Sequence, residues 1–120
     1  MTCLLLSDDL IFTTRIAGTG QDVGVLVRTV PLPERLLAAA REAPPAAVIV
    51  DLAIAGLNIA EFVAELKKLT PPPRVVAYGP HVDTEKLHAA REAGCDLVMA
   101  RSKFVNELPT ALAEWAKPIA

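Results

Sequence analysis

The sequence has few aromatic residues and only two cysteines. Aromatic side chains make up 4% of its 120 residues and hydrophobic residues 52%, so the core has to be built mainly from Ala, Val, Leu and Ile. A hydrophobic content this high argues against disorder, and a chain of this length typically forms one domain, here expected over residues 1–120. Cys3 and Cys95 fall in no CxxC pair and in no zinc-ligand spacing, which predicts two buried thiols.

The sequence also lacks long apolar runs and clusters of positive charge. No run approaches the ~20 apolar residues that a membrane-spanning helix needs, and residues 1–9 contain no basic segment of the kind that begins a signal peptide. The net charge is −2 and the Lys and Arg residues are scattered, whereas nucleic-acid binding needs a clustered positive field. We therefore expect a cytoplasmic protein with no nucleic-acid partner and no membrane partner.

What the sequence does contain is an alternation of short apolar runs with longer stretches rich in Ala, Leu, Glu and Arg. The runs predict strands over residues 4–6, 23–27, 46–50, 74–78 and 97–100. The longer stretches predict helices over residues 10–17, 34–42, 59–69, 84–93 and 107–116. The third run is apolar on both faces, which is typical of a parallel sheet covered on both sides. Five consecutive strand–helix units thus predict an α/β fold.

Glycine and proline set two of the predicted boundaries. Gly18 and Gly20 are expected to end the first helix, because glycine is typical of the residues that follow a helix. Pro109 is tolerated most easily in a first helical turn, so the last helix is expected to begin at residue 107, with Asn106 as its cap.

Acidic residues follow two of the predicted strands. Asp8 and Asp9 come after the first strand and Asp51 after the third, while Gly79 follows the fourth. In an open parallel sheet, ligands bind beyond the carboxyl ends of the strands, and in the strand order 2-1-3-4-5 the two acidic ends would converge. Carboxylates about 4 Å apart repel each other, so such a cluster needs a cation, a shared proton or open solvent. Mg²⁺ is the natural cation for oxygen ligands of this kind.

Three segments resemble the receiver domain of bacterial response regulators. Residues 4–9 (LLLSDD) are similar to its first strand and acidic pair, residues 48–58 (VIVDLAIAGLN) to the stretch around its phosphoacceptor, and residues 93–96 (AGCD) to the turn before its fifth strand. The resemblance implies a flavodoxin-like (βα)5 three-layer sandwich with a parallel sheet in the order 2-1-3-4-5. It also implies that Asp51 is the phosphoacceptor and that Mg²⁺ would be bound by Asp8, Asp9, Asp51 and the backbone carbonyl of Ala53.

Other positions depart from the family pattern. Gly79 stands where the family has Ser or Thr after strand 4, and Val98 replaces the switch aromatic of strand 5. The family's Lys-Pro pair after strand 5 falls on Arg101 and Ser102, and arginine keeps the charge with a different donor geometry. In the family, the Ser or Thr hydroxyl at the position of Gly79 couples the phosphoryl group to the far face of the domain. The resemblance therefore implies a degenerate pocket that includes Gly79 and Arg101, as in an atypical, or pseudo-, receiver.

The sequence leaves the roles of several of these residues open. Asp51 is either a site residue or a solvated carboxylate at a strand end. One of Asp8 and Asp9 is expected to cap the following helix, and the two roles of capping and metal binding are compatible. Arg101 either forms a salt bridge to Asp51, where it would stand in for the metal or the lysine, or faces solvent. Tyr78 is expected to be a core or pocket-wall residue.

The leading functional hypothesis is a non-enzymatic regulatory module of two-component signalling that acts through protein contacts. The alternative is a functional phosphorelay receiver that accepts phosphate on Asp51 with Mg²⁺. The family's contact face of helix 4, strand 5 and helix 5 here includes Lys86, Leu87, His88 and Arg91. Its implied partners are other signalling proteins, such as a histidine kinase or an output protein, or a second copy of the chain. An enzyme is disfavoured because no phosphate-cradling glycine loop follows the first strand.

Overall fold

The computed structural model describes residues 1–117, which form five strands and five helices in strict alternation. The strands are β1 (Thr2–Leu6), β2 (Leu26–Val30), β3 (Ala47–Asp51), β4 (Arg74–Gly79) and β5 (Leu97–Ala100). The helices are α1 (Leu10–Val23), α2 (Pro33–Glu42), α3 (Ile59–Lys67), α4 (Thr84–Glu92) and α5 (Arg101–Trp115). In this part of the chain no helix combines the length and the apolar character that crossing a bilayer requires.

The five described strands form a parallel sheet in the order β2-β1-β3-β4-β5. Strand β3 is buried at every position, as its continuous apolar run predicts for the centre of a covered sheet. Strand β2 lies at the edge of the sheet, where Leu26 is exposed. The predicted α/β flavodoxin-like fold and its strand order are therefore confirmed.

Successive side chains of each strand point to opposite faces of the sheet and so divide the described core into two layers. One layer lies between the sheet and the pair α1 and α5, and includes Leu5, Ile49 and Phe104. The other lies between the sheet and α2, α3 and α4, and includes Val48 and Phe62. Because α1 and α5 cover the same face, both begin side by side at the rim formed by the carboxyl ends of the strands.

Helix α1 is longer than its sequence predicts. It continues through Gly18 and Gly20 and ends before Gly24, whose φ of 79° closes it, so the predicted end at residue 17 is wrong. A glycine inside a helix costs only about 1 kcal/mol relative to alanine. Gly20 also allows a close approach, because a Cβ atom there would lie 2.6 Å from the carbonyl oxygen of Val25. As a consequence β2 begins at Leu26 and not at residue 23.

Helix α5 begins earlier than its sequence predicts. It starts at Arg101, directly after β5, so Asn106 is not its cap and Pro109 lies inside the helix. The prediction was wrong because burial of an apolar stripe outweighs the hydrogen bond that the proline removes. Pro109 itself is on the exposed side. The buried stripe of the helix consists of Phe104, Leu108, Leu112 and Trp115.

Candidate functional site

The carboxyl ends of β1 and β3 meet at one rim of the sheet, and Ser7 connects them. Ser7 follows β1 directly, and its hydroxyl donates a hydrogen bond of 2.8 Å to Oδ2 of Asp51. The same hydroxyl oxygen accepts a bond of 3.2 Å from the backbone N–H of Asp9. The structure therefore brings Asp51 and the start of α1 to a single hydroxyl. Ser7 was not among the predicted site residues, although its place between a strand end and an acidic pair is a signal for it.

Asp51 lies at the end of β3 and is only 4% exposed, so the interpretation of this residue as a solvated carboxylate is wrong. Its Oδ1 accepts a hydrogen bond of 2.9 Å from the backbone N–H of Ala53, and its Oδ2 accepts the bond from Ser7. A buried carboxylate is very unfavourable unless hydrogen bonds replace its hydration. The two donors together stabilise an acidic side chain in this buried position, and each oxygen of Asp51 already has a partner inside the protein.

Asp9 caps α1, as was expected for one of the two acidic residues after β1. Its Oδ1 accepts a hydrogen bond of 3.0 Å from the backbone N–H of Phe12. Its Oδ2 lies 3.0 Å from Nη2 of Arg101. The Phe12 N–H, and next the Arg101 guanidinium, hold the pKa of the Asp9 carboxyl below its ordinary value. Asp8, by contrast, is exposed.

Arg101 bonds to Asp9 and not to Asp51, so the expected salt bridge to Asp51 is wrong. The residue is exposed, as the alternative expectation has it, although its guanidinium also contacts the protein. Its guanidinium forms the ion pair with Asp9, and its Cζ lies 4.1 Å from the centroid of the Phe12 ring, in a cation–π arrangement. The reason lies in the fold: Arg101 is the first residue of α5, and α5 packs beside α1. Its side chain therefore reaches the start of α1, where Asp9 and Phe12 lie, instead of the end of β3.

Tyr78 is fully buried in the core, next to the end of β4, which agrees with the core alternative of the expectation for it. Its ring stacks on Phe104 at a centroid distance of 4.4 Å and meets the ring of Phe12 edge-on at 5.2 Å. Among residues 1–117 its hydroxyl has no hydrogen-bond partner. Burial, and next the negative charge of Asp51, raise the pKa of Tyr78. The Ser7 hydroxyl lowers the pKa of Tyr78, although the two hydroxyls are not hydrogen bonded to each other.

The position of the missing family hydroxyl is closely packed. Gly79 is buried at the end of β4, and a Cβ atom there would lie 3.3 Å from Cβ of Leu52 and 3.7 Å from Cδ2 of Leu87. Val98, in place of the family's switch aromatic, is partly buried and packs against the α2–α3–α4 layer. The rim thus contains the acidic residues of the family pattern without the hydroxyl and the aromatic ring that accompany them there.

The predicted ligand set for Mg²⁺ comprises Asp8, Asp9, Asp51 and the carbonyl of Ala53. Within residues 1–117 no group of three Asp, Glu, His or Cys side chains is arranged to hold a metal ion. Mg²⁺ needs nearly octahedral oxygen ligands, yet the oxygens of Asp9 and Asp51 already accept protein donors, and a guanidinium lies against Asp9. In this arrangement the described residues form no ready-made magnesium site. Binding that would require Asp9 and Asp51 to exchange their present partners for the ion stays a prediction.

The predicted partner-binding residues lie on α4. Lys86, His88 and Arg91 are exposed, whereas Leu87 is 7% exposed and packs into the core, so it is not available for contacts. Lys86 pairs with Asp83 at 3.7 Å within the same turn. The exposed part of this helix is therefore polar, with the basic Lys86 and Arg91 balanced by the acidic Glu85 and Glu92.

The two cysteines differ in burial. Cys3 is buried in β1, but Cys95 is only partly buried, contrary to the prediction of two buried thiols. Both are free thiols. Burial raises the pKa of Cys3 to about 12 and that of Cys95 to about 11. Since the thiolate is the nucleophile, neither cysteine is suited to covalent chemistry at neutral pH.

Removing the charge of Asp9 should make the fold less stable in a pH-dependent way. The variant Asp9→Asn keeps a helix-capping side chain but loses the ion pair with Arg101. Because the pKa of Asp9 is lower in the folded than in the unfolded chain, its contribution to stability is present above the ordinary value of 3.8 and disappears as the pH falls through the lowered pKa. Urea unfolding should therefore find wild type more stable than Asp9→Asn at neutral pH, with a smaller difference in strong acid. Asp22→Asn, at an exposed carboxylate of the same helix, controls for the loss of one charge, and a difference that does not change with pH would contradict the assignment.

No protein-family model matches the sequence, and no curated protein matches it either. Solved structures do match. A putative response regulator from Chloroflexus aurantiacus superposes with a TM-score of 0.81 and 19% identity, over 96% of this chain and 96% of that chain. The receiver domain of NtrX from Brucella abortus gives 0.78 and 22% identity, over 95% and 97% of the two chains. In a longer NtrX chain, with a TM-score of 0.79 and 26% identity, the match covers 96% of this chain but only 26% of that one.

A fourth solved structure is the beryllofluoride-activated NtrC4 receiver domain dimer. It matches with a TM-score of 0.76 and 14% identity, over 95% of this chain and 98% of that chain. At identities this low, the likeness establishes the fold. This chain has the fold of response-regulator receiver domains, and the resemblance found in its sequence is confirmed at that level.

Proposed function

We propose that this chain is an atypical receiver-like module that regulates other proteins through contacts and does not use a phosphorylation switch. The observation that carries the proposal is the state of Asp51. Its two carboxylate oxygens are already bonded to the Ser7 hydroxyl and to the Ala53 N–H. The neighbouring position that would supply a hydroxyl to a phosphoryl group is Gly79. A phosphoryl group bonded to one oxygen of Asp51 would disturb the donor that now stabilises that oxygen, and no hydroxyl at residue 79 would replace it.

The proposed partners are other signalling proteins, namely a histidine kinase or an output protein, or a second copy of the chain. The NtrC4 receiver domain, which has this fold, forms a dimer in its beryllofluoride-activated state. In this chain the exposed side chains of α4, including Lys86, His88 and Arg91, would supply contacts of this kind. With a net charge of −2 and scattered basic residues, neither nucleic acid nor a membrane is proposed as a partner. The proposed location is the cytoplasm, and the proposed unit is a single non-enzymatic domain over residues 1–120.

Beryllofluoride with Mg²⁺ tests the proposal, because it mimics a phosphoryl group on an aspartate. In amide NMR spectra of the wild-type chain we expect no change in the resonances of α4 and β5 at saturating concentrations of both. The NtrC4 receiver domain serves as the positive control, and Asp51→Asn identifies any change that depends on the carboxylate. Shifts around Asp51 that extend along α4, and that Asp51→Asn abolishes, would refute the proposal and support the alternative of a phosphorelay receiver that uses Asp51 and Mg²⁺.

A further inference from the structure

The Asp9 carboxylate is a partly exposed acidic group of the rim, and a cation of the protein already contacts it. Nη2 of Arg101 lies 3.0 Å from Oδ2 of Asp9, and the side chain of Asp9 is 35% exposed. The other oxygen accepts the N–H of Phe12 at 3.0 Å. A metal ion that approached this carboxylate would therefore have to compete with the guanidinium for Oδ2 and with a helix cap for Oδ1.

The position of Arg101 is unfavourable for a positive charge unless something nearby offsets it. Arg101 is the first residue of α5, and the amino terminus of a helix carries a partial positive charge that disfavours cations. In the described chain α5 also begins without a hydrogen bond from a side-chain cap. The ion pair with Asp9 and the face of the Phe12 ring offset this, since both attract the guanidinium. Two independent contacts thus hold the arginine at the rim.

We propose that Arg101 is a built-in cation of this pocket and that it determines the low affinity of the pocket for divalent metal. The pocket does contain acidic residues: Asp8 and Asp9 follow β1, and Asp51 ends β3. Asp8 is exposed, but the carboxylate oxygens of Asp9 and Asp51 already accept protein donors. A metal ion beside Asp9 would also be repelled by a unit positive charge only a few ångströms away. The inference rests on the proposed function and deepens it, because it names Arg101 as the residue that keeps the affinity of the pocket for divalent metal low.

Removal of the guanidinium tests the inference directly. In the variant Arg101→Ala we expect Mn²⁺, a paramagnetic ion of the same charge as Mg²⁺, to broaden the amide resonances of Ser7, Asp9 and Asp51 in a saturable way. The apparent affinity should be at least ~10-fold higher than that of wild type, which should show no saturable broadening at millimolar Mn²⁺. Arg101 is about half exposed, so the variant should keep its fold, and amide resonances far from the rim report on this.

Two further variants make the result specific. Lys103→Ala removes one positive charge from an exposed position on the same helix, at a residue that forms no ion pair within residues 1–117, and it should leave Mn²⁺ binding as in wild type. Arg101→Ala combined with Asp51→Asn should lose the binding that Arg101→Ala gains. The inference is overturned if Arg101→Ala binds Mn²⁺ no better than wild type, or if Lys103→Ala gains as much. Neither outcome affects the beryllofluoride result for the wild-type chain, so the two proposals fail separately.

Discussion

We expect the substitution Phe104→Ala to lower the free energy of unfolding by about 3–5 kcal/mol, the usual range for truncating a buried aromatic residue. Phe104 is fully buried and lies between two other rings, with centroid distances of 4.4 Å to Tyr78 and 5.5 Å to Trp115. The chain contains five aromatic residues, and all but Phe62 belong to this one stack. Aromatic pairs contribute about 0.5–1.5 kcal/mol each beyond the area they bury. The loss of the central ring removes three of these pairs, since Phe104 also meets Phe12 at a centroid distance of 6.0 Å, and leaves a cavity between α5 and the sheet.

Urea unfolding followed by tryptophan fluorescence measures this effect, because the sole tryptophan, Trp115, lies in the stack. Ile11→Ala is a suitable control, since Ile11 is 88% exposed and its truncation should change the free energy of unfolding by no more than about 0.5 kcal/mol. A loss of less than about 1 kcal/mol in Phe104→Ala would be far below the range for a buried aromatic residue. It would show that the packing between α5 and the sheet is not as described.

The substitution Tyr78→Phe should stabilise the protein, in contrast to Phe104→Ala, and raise the free energy of unfolding by about 1 kcal/mol. The Tyr78 hydroxyl is buried and, among the described residues, without a hydrogen-bond partner. A buried polar group without a partner is unfavourable by about 1–3 kcal/mol, and its removal restores part of that energy. The ring stays in place, so the contacts with Phe104 and Phe12 are kept. The substitution therefore tests the hydroxyl alone.

A double-mutant cycle with Ser7→Ala identifies the partner if this prediction is wrong. The Ser7 hydroxyl affects the pKa of Tyr78, but it donates its hydrogen bond to Asp51. We expect the effects of Ser7→Ala and Tyr78→Phe to be additive within about 0.5 kcal/mol, as for groups that do not interact. A destabilised Tyr78→Phe variant with a larger coupling energy would mean that the two hydroxyls are hydrogen bonded. The rim would then include Tyr78 as well as Ser7 and Asp51.

The helix boundaries show where local patterns are sufficient and where they are not. Strand β5 has its predicted bounds, and α2, which begins at Pro33, differs from its predicted start by one residue. Both are bounded by signals that act within a few residues. The wrong boundaries, at Gly20 and Pro109, involve residues whose local preference is outweighed by contacts with distant segments. Gly20 meets the backbone at Val25, and α5 extends to Arg101 because its apolar stripe packs on the sheet.

In the candidate site, too, some features could be predicted from short segments of sequence and others depend on tertiary packing. Asp51 and Asp9 were predicted because acidic residues directly after buried strands of a parallel sheet have to share its rim. The partner of Arg101 could not be predicted, since it depends on α1 and α5 lying side by side on one face, 92 residues apart in the chain. That the Tyr78 hydroxyl has no hydrogen-bond partner among residues 1–117 could not be predicted either, because its environment is made by Phe12 and Phe104 from those two helices.

The sequence by itself determined the alternation of strands and helices, the burial of β3 and the position of acidic residues at strand ends. These features follow from the side-chain periodicity and from the residues that can begin or end an element, which are properties of short segments. Only the tertiary structure decided that each oxygen of Asp51 is already hydrogen bonded, that Arg101 pairs with Asp9, and that four aromatic rings form one stack. The physical reason is that hydrogen bonds and ion pairs act over a few ångströms, so their partners are set by which helices and strands pack together.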